Sequence, residues 1–375
     1  MRKNLVLVGG GHAHMVTLEN IQGFTDNKVK VTVIAPSSYH YYSGMGPGML
    51  GGTYGPHDIR FATQQVVTDQ GGVFVQDRVV RIDPEKKQVY TESGQTLDYD
   101  VLSFNAGSYI SLDQADEAGD TIYPAKPIEK LMNASQKLAA MFRAGPVRVA
   151  VVGGGPSAAE VAGNVLQLFR RCGGTKPNIR IYAGKRFMAR FTPGVRNRVR
   201  KTLEGKGIQI NEGGYVSQVT RDKIVLDSPG DSPKEFAADF TFMASGVNPS
   251  PIFEASGLPV GPDKGLLVNS YLQSTAYPDI FGGGDCIYFE PQPLDKVGVY
   301  AVRQNPVLLH NLKARLEGGD LMAFDPGPDY LLIFNLGDGQ GVLKKYGIVF
   351  GGRLAFWIKD YIDRKFIRRF QAIEK

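Results

Sequence analysis

Apolar positions along this chain fall in short runs that stop on glycine and then change period. Leu5-Val6-Leu7-Val8 is continuous, breaks at Gly9-Gly10-Gly11, and is followed by a helix-compatible stretch over 15–21. Val29-Lys30-Val31-Thr32-Val33-Ile34 then alternates, which reads as a second strand. The same order returns with the apolar run at 147–152. That run enters Gly153-Gly154-Gly155-Pro156-Ser157, helical spacing follows through Val161, Val165, Leu168 and Phe169, and 178–182 reads as a strand. Further strands are predicted over 88–91 and 97–103, joined as a hairpin through Ser93-Gly94, and over 239–246. Residues 330–334 and 341–343 read as another hairpin.

Each repeated unit is strand, glycine turn, helix, strand. A helix starting at such a turn presents free N–H groups and the positive end of its dipole, a natural seat for a pyrophosphate. The glycines permit a tight turn and close approach of backbone to ligand. In the second unit the word G-x-G-x-x-A is complete, ending at Ala158. In the first, His14 replaces the third glycine, and Ala35-Pro36-Ser37 stands where an acid would meet a ribose. Two such units are far more specific than one. A lone carboxylate, Asp285, follows Gly282-Gly283-Gly284 and is suited to accept hydrogen bonds from sugar-chain hydroxyls or to cap a helix.

Composition narrows the class. Hydrophobic residues are 42% and charged residues 21% of 375, which excludes wholesale disorder. Two cysteines without a Cys-x-x-Cys exclude a disulfide framework and a Cys₄ zinc site, and five histidines lead us to expect no metal. No run approaches the ~18 apolar residues of a membrane span, and the start lacks the long apolar region of a signal peptide. The net charge of +6 is uneven: residues 353–375 carry +4 and the rest +2. A basic tail on a near-neutral body is not the footprint of a nucleic-acid binder. In that tail Leu354, Ile358, Ile362, Phe366 and Phe370 recur at i+4, with Trp357 and Tyr361 on adjoining rows and Lys359, Arg364, Lys365, Arg368 and Arg369 on the flanks. The pattern predicts a basic amphipathic helix that lies on an anionic membrane surface, or else packs on the core or on a second subunit.

Together these words resemble the flavoproteins with two dinucleotide-binding domains, the pyridine nucleotide-disulfide oxidoreductase superfamily. Within it the chain is most similar to type II NADH dehydrogenases (NADH:quinone oxidoreductases) and to the flavoprotein domains fused to selenophosphate synthetases. The resemblance rests on 5–14, on Tyr41-Tyr42-Ser43-Gly44-Met45-Gly46-Pro47-Gly48, on 282–285, on Val299-Tyr300-Ala301-Val302-Arg303-Gln304 and on 357–366. It implies an α/β fold of two Rossmann-like domains with a C-terminal amphipathic helical tail. The expected boundaries are 1–115 and 268–325 for the FAD domain, 116–267 for the NAD(P)H domain, and 326–375 for a hairpin and membrane-surface helix.

The resemblance also assigns residues. Gly9, Gly10, Gly11, His12 and Ala13 would line the FAD pyrophosphate; Ala35, Pro36 and Ser37 the adenosine ribose; Val79 the adenine. Ala106 and Gly107 would border the flavin nucleotide, and Gly284 and Asp285 the ribityl chain. Gly153, Gly155, Pro156 and Ser157 would hold NADH or NADPH. Lys185, where an acid would mark NADH, leaves room for a 2′-phosphate or for loose selectivity. Glu160 would face nicotinamide and flavin as a positioning or proton-supplying group, Lys126 would lie near the flavin, and Gln304 would start a helix at the quinone site.

The implied activity is electron transfer from NAD(P)H through FAD to a membrane quinone, in the cytoplasm on the inner face of the cell membrane, with a homodimer left open. Three alternatives stay beside it: a soluble flavin reductase of sulfur or selenium metabolism, a sulfide:quinone oxidoreductase-like enzyme, and a non-catalytic FAD-binding redox sensor. Cys172 and Cys286 read as inert thiols rather than a redox pair.

Overall fold

Two five-stranded parallel sheets organise the computed structural model, which describes residues 2–115, 120–227, 230 and 232–374; four strands follow one order in both, and the remaining edge strand comes last in the chain order of the first sheet and first in that of the second. The first runs Ile280–Gly282, Val101–Phe104, Asn4–Val8, Lys30–Ala35, Val73–Gln76. The second runs Ile122–Pro124, Phe240–Met243, Arg148–Val152, Asn178–Tyr182, Gln209–Asn211. Leu5, Val6, Leu7 and Val149, Ala150, Val151 are buried, as central strands covered on both faces require.

The repetition reaches single hydrogen bonds. Gly9 N–H donates to Ile34 O at 2.8 Å and Gly153 N–H to Tyr182 O at 2.9 Å. Asn105 N–H donates to Val8 O and Ala244 N–H to Val152 O, at 2.8 and 2.7 Å. A Cβ on Gly9 (φ +89°) would sit 2.3 Å from Asn105 O, and one on Gly153 (φ +145°) 2.2 Å from Ala244 O. Both the dihedral and the contact demand glycine.

A three-stranded antiparallel sheet accompanies each unit: Val79–Asp83, Gln88–Thr91, Thr96–Asp98, and Tyr215–Val219, Lys223–Asp227, Lys234–Ala237. The strand expected over 97–103 is therefore two strands, one in each kind of sheet. They part at Tyr99-Asp100, where the Asp100 carboxylate accepts Asn4 N–H at 2.6 Å and ties the corner to the first strand. The helix expected over 15–21 is broken at Asn20 into Met15–Glu19 and Ile21–Thr25, and the Asn20 amide donates to Val16 O.

The C-terminal hairpin gains a third strand: Leu332–Asn335, Gly341–Lys345 and Ile348–Gly352, followed by the helix Arg353–Gln371. This unit is docked on the helix Pro156–Cys172. Asn164 donates to Asn335 O, Gln167 accepts from Asp338 N–H, and Gly163 lies so close that a Cβ would be 2.3 Å from Leu336 O.

The tail helix corrects the expected i+4 apolar face. Its buried positions are Ala355, Lys359, Asp363, Ile367 and Phe370, and Phe366 is half-buried. Leu354, Trp357 and Tyr361 are exposed instead, at 60%, 65% and 67%, one row round the helix. A lysine and an aspartate can face inward because they pair: Lys359 Nζ lies 2.7 Å from Asp363 Oδ2 and donates to Gly44 O, while Tyr42 OH donates to Asp363 Oδ1 at 3.1 Å. No helix among the described residues is long and apolar enough to cross a membrane.

Gly163→Ala tests this docking. Overpacking against the Leu336 carbonyl should cost about 1–3 kcal/mol and expose the 326–375 segment to limited proteolysis. An unchanged melting temperature and digestion pattern would contradict the packing described.

Candidate functional site

Above the first glycine turn lies a cavity of about 380 Å³, within the range of cofactor sites. Gly9, Gly10, Gly11 and His12 form one wall, Ala35, Pro36, Ser37 and Val79 another, and Ala106, Gly107, Lys126, Gly284 and Asp285 a third. Residues far apart in sequence thus line one cavity. Among the described residues the N–H groups of Gly10 and Gly11 donate to no protein acceptor. Ala13 is off the wall: it is fully buried and its N–H donates to the Asn105 side-chain oxygen at 3.1 Å.

Asn105 is a residue that sequence reasoning passed over. Its amide nitrogen donates to Gly283 O at 2.7 Å while its oxygen holds Ala13, so one side chain joins both glycine segments. His14, in place of the third glycine, is a buried bridge: Nδ1 lies 2.7 Å from Gly9 O and Nε2 2.8 Å from Ser103 Oγ. Burial pushes its imidazole down to about 4.

Asp77 also lines the cavity, at the end of the third parallel strand rather than the second. The Ser93 hydroxyl and the Arg78 N–H hold its carboxylate down at about 2. Periodicity carried no signal for it, because only the strand order brings 77 beside 35–37.

Asp285 and Lys126 meet on the third wall. Lys126 Nζ is 2.6 Å from Asp285 Oδ2, and Ser108 Oγ donates to the same oxygen at 2.8 Å. Burial would raise the Asp285 carboxyl, but the Lys126 charge overrides it and holds the group below the ordinary carboxylate range. Gln304 lies inside the helix Gly298–Glu317, not at its start; it is buried and accepts Gly284 N–H at 2.7 Å. It thereby fixes the turn that carries Asp285. His40, Ser43 and Thr63 also line the cavity.

The second turn stands apart from this cavity. Gly155 would meet nothing within 4 Å of an added Cβ, so the space beside it is open to a ligand. Among the described residues Gly154 and Gly155 donate no backbone hydrogen bond to protein. Pro156 and Ser157 open the helix, and Lys185 and Arg186 are exposed just past the strand Asn178–Tyr182. Glu212 is committed to Arg200 and to Phe187 N–H, just past Lys185 and Arg186.

Glu160 lies off the cavity wall, under the tail. Its Oε1 accepts Asn335 N–H at 2.7 Å, and Lys359 and Asp363 are its charged neighbours. Burial pushes the carboxyl up to about 7 against the pull of Lys359. Asp363 and Glu160 in turn overcome the burial of Lys359 and hold its ammonium above the ordinary value.

Comparison with known proteins agrees with this architecture. The chain is 24% identical over 394 residues to the type II NADH:quinone oxidoreductase of Staphylococcus saprophyticus, covering 99% of this chain and 97% of that one. It is 23% identical to the Staphylococcus aureus enzyme of the same name, with the same coverage. Among solved structures it is similar to the sulfide:quinone oxidoreductase of Aquifex aeolicus, with TM-score 0.82, 19% identity, and 99% and 92% of the two chains covered. It is also similar to NDH2 of Plasmodium falciparum in complex with NADH, with TM-score 0.81, 16% identity, and 100% and 97% covered. Residues 3–308, which hold both glycine turns, Lys126, Asp285 and Gln304, match one family over their whole length: the chain belongs to the pyridine nucleotide-disulphide oxidoreductases.

Proposed function

We propose that this oxidoreductase passes electrons from NADH through FAD to a membrane quinone, in the manner of the type II NADH:quinone oxidoreductases it resembles over its whole length. The observation that carries the reading is the pair of glycine turns in one chain, each with unpaired N–H groups at the mouth of a parallel sheet. The first cavity suits FAD: Gly10 and Gly11 would donate to the pyrophosphate, Ser37 and Asp77 would hold the ribose, Val79 would meet the adenine, and Asp285 would accept from the ribityl hydroxyls. Any side chain on Gly107 would enter open space there, since nothing lies within 4 Å of it. Bound FAD supplies the acceptance of hydride and its release as an electron pair. The chain's part is to orient the ring, with Lys126 beside it, and to hold protons.

The second turn takes the nicotinamide nucleotide through Gly153, Gly155, Pro156 and Ser157. With Lys185 rather than an acid beside it, NADPH is admitted as well as NADH. Residues 1–115 and 268–325 then form the FAD domain and 116–267 the nucleotide domain. Glu160, with its carboxyl near neutrality, is the proton holder between that domain and the tail. The exposed Leu354, Trp357 and Tyr361, with Lys365 and Arg368 nearby, set the tail on the inner face of the cell membrane. Sulfide chemistry at paired thiols does not suit the chain, because Cys286 is fully buried and burial pushes its thiol up to about 11.

The purified protein should release FAD on denaturation and oxidise NADH with a long-chain quinone in anionic liposomes. Trp357→Ala with Tyr361→Ala should cut that rate at least about tenfold while sparing reduction of a short-chain quinone in buffer. Absence of flavin, or of any quinone-dependent NADH oxidation, would sink the function; equal liposome rates would sink the tail's role.

Glu160 gives a stability test with a definite sign. Its folded carboxyl, at about 7, lies above the ordinary 4.5, so the folded state keeps a proton that the unfolded chain sheds across that window. Stability therefore falls as pH rises from 4.5 to 7. Glu160→Gln should melt higher than wild type above pH 7 and lose that gain near pH 4.5, read by calorimetry across pH.

A further inference from the structure

His12, expected along the pyrophosphate, and His40 stand together on the cavity wall, and no step given so far uses either imidazole. His40 Nε2 lies 3.3 Å from His12 Nδ1, and the rings meet edge-on with centroids 4.8 Å apart. His12 is only 8% exposed, yet its Nε2 has no partner among the described residues. His40 is half-buried, so it is the outer ring of the pair. His12 is held from behind by Tyr42, at 4.9 Å, and by a stacked Phe366 of the tail helix, at 5.9 Å. Two imidazoles in series thus run from the partly open ring to a free nitrogen buried at the cavity that carries Lys126 and Asp285.

We propose that His40 and His12 form a proton wire that completes quinol formation. This rests on the quinone reading given above. A quinone that takes a hydride equivalent, two electrons and one proton, needs one further proton to leave as quinol. His12 Nε2–H gives that proton, His40 Nε2–H reloads His12 at Nδ1, and water reloads His40 at Nδ1. Each ring then carries its proton on Nδ1 instead of Nε2, and both tautomers reset by exchange with water before the next turnover; the net uptake is one proton from solution per quinol.

A wire of this kind needs rings that are neutral, so that each can accept on one nitrogen and donate from the other. The surroundings favour that state. Burial pushes His40 down to about 4, aided by Lys126, and pushes His12 well below its ordinary value, aided by His40 and Lys126 and opposed by Asp285. Tyr42, the remaining polar neighbour, is engaged with Asp363. The tail thereby acquires a second role, because Phe366 sets the plane of the inner ring.

The test uses the FAD-loaded protein and two readouts. In His40→Phe the reoxidation of reduced flavin by quinone should slow about 10²-fold more than its bleaching by NADH, and added imidazole should restore part of the loss. ¹⁵N spectra of histidine-labelled wild type should show both rings neutral at pH 7. A ring charged at pH 7, as a pyrophosphate contact would produce, overturns the wire. Reoxidation in His40→Phe at the wild-type rate overturns it too. Should His40→Phe lose flavin, His40→Gln replaces it and is judged by the same ratio. A wild type that is never reoxidised by quinone defeats the quinone reading instead, and the spectra still decide whether the neutral pair exists.

Discussion

One asparagine holds the first nucleotide site together. The Asn105 backbone oxygen lies where a Gly9 side chain would be, and its side-chain oxygen lies 2.2 Å from where a Gly11 Cβ would be. Its amide nitrogen would meet a Cβ on Gly284 at 2.4 Å. The glycines of both segments are small so that this one amide can stand among them and satisfy Ala13 N–H and Gly283 O. Each such bond is buried, and leaving either group unpaired would cost about 1–3 kcal/mol. The turn, the start of the helix after it and the placement of Asp285 all follow from that packing. In the second unit Ala244 makes the same backbone contact with Gly153 without the side-chain bridge.

The C-terminal unit is first of all a wall of the protein. Its buried pair, Lys359 and Asp363, engages Gly44 and Tyr42 of the FAD-side loop, and Glu160 of the nucleotide-side helix lies beside them. Removing one member of such a pair typically costs about 3–5 kcal/mol, because the other charge stays buried. The tail therefore senses both halves at once. Its inward Phe366 reaches the cavity histidines, while its outward Trp357 and Tyr361 stay free for a surface.

Much of this was legible in the sequence. The duplicated strand-glycine-helix order predicted both parallel sheets, and the convergence of 9–12, 35–37, 79, 106–107 and 284–285 on one cavity was expected from resemblance. What the sequence hid depended on tertiary pairing. Local periodicity ran 97–103 as one strand because nothing in its alternation marks the corner at Asp100. It put Phe370 in one apolar row with Leu354, Ile358, Ile362 and Phe366, and Lys359 on the flank, because a Lys359–Asp363 pair looks like a polar surface until Tyr42 and Gly44 are brought against it. Asp77 and His40 were invisible as site residues, since each reaches the cavity only through strand order and loop placement.

The central claim is that one bound flavin connects a nicotinamide nucleotide to a quinone. Anaerobic stopped-flow absorbance of the yellow protein tests it most directly. Mixing with NADH should bleach the flavin band, NADPH should do so as well, and a following push of short-chain quinone should restore the colour. A band that stays yellow with both nucleotides, or a bleached one that quinone leaves unchanged, would contradict the account.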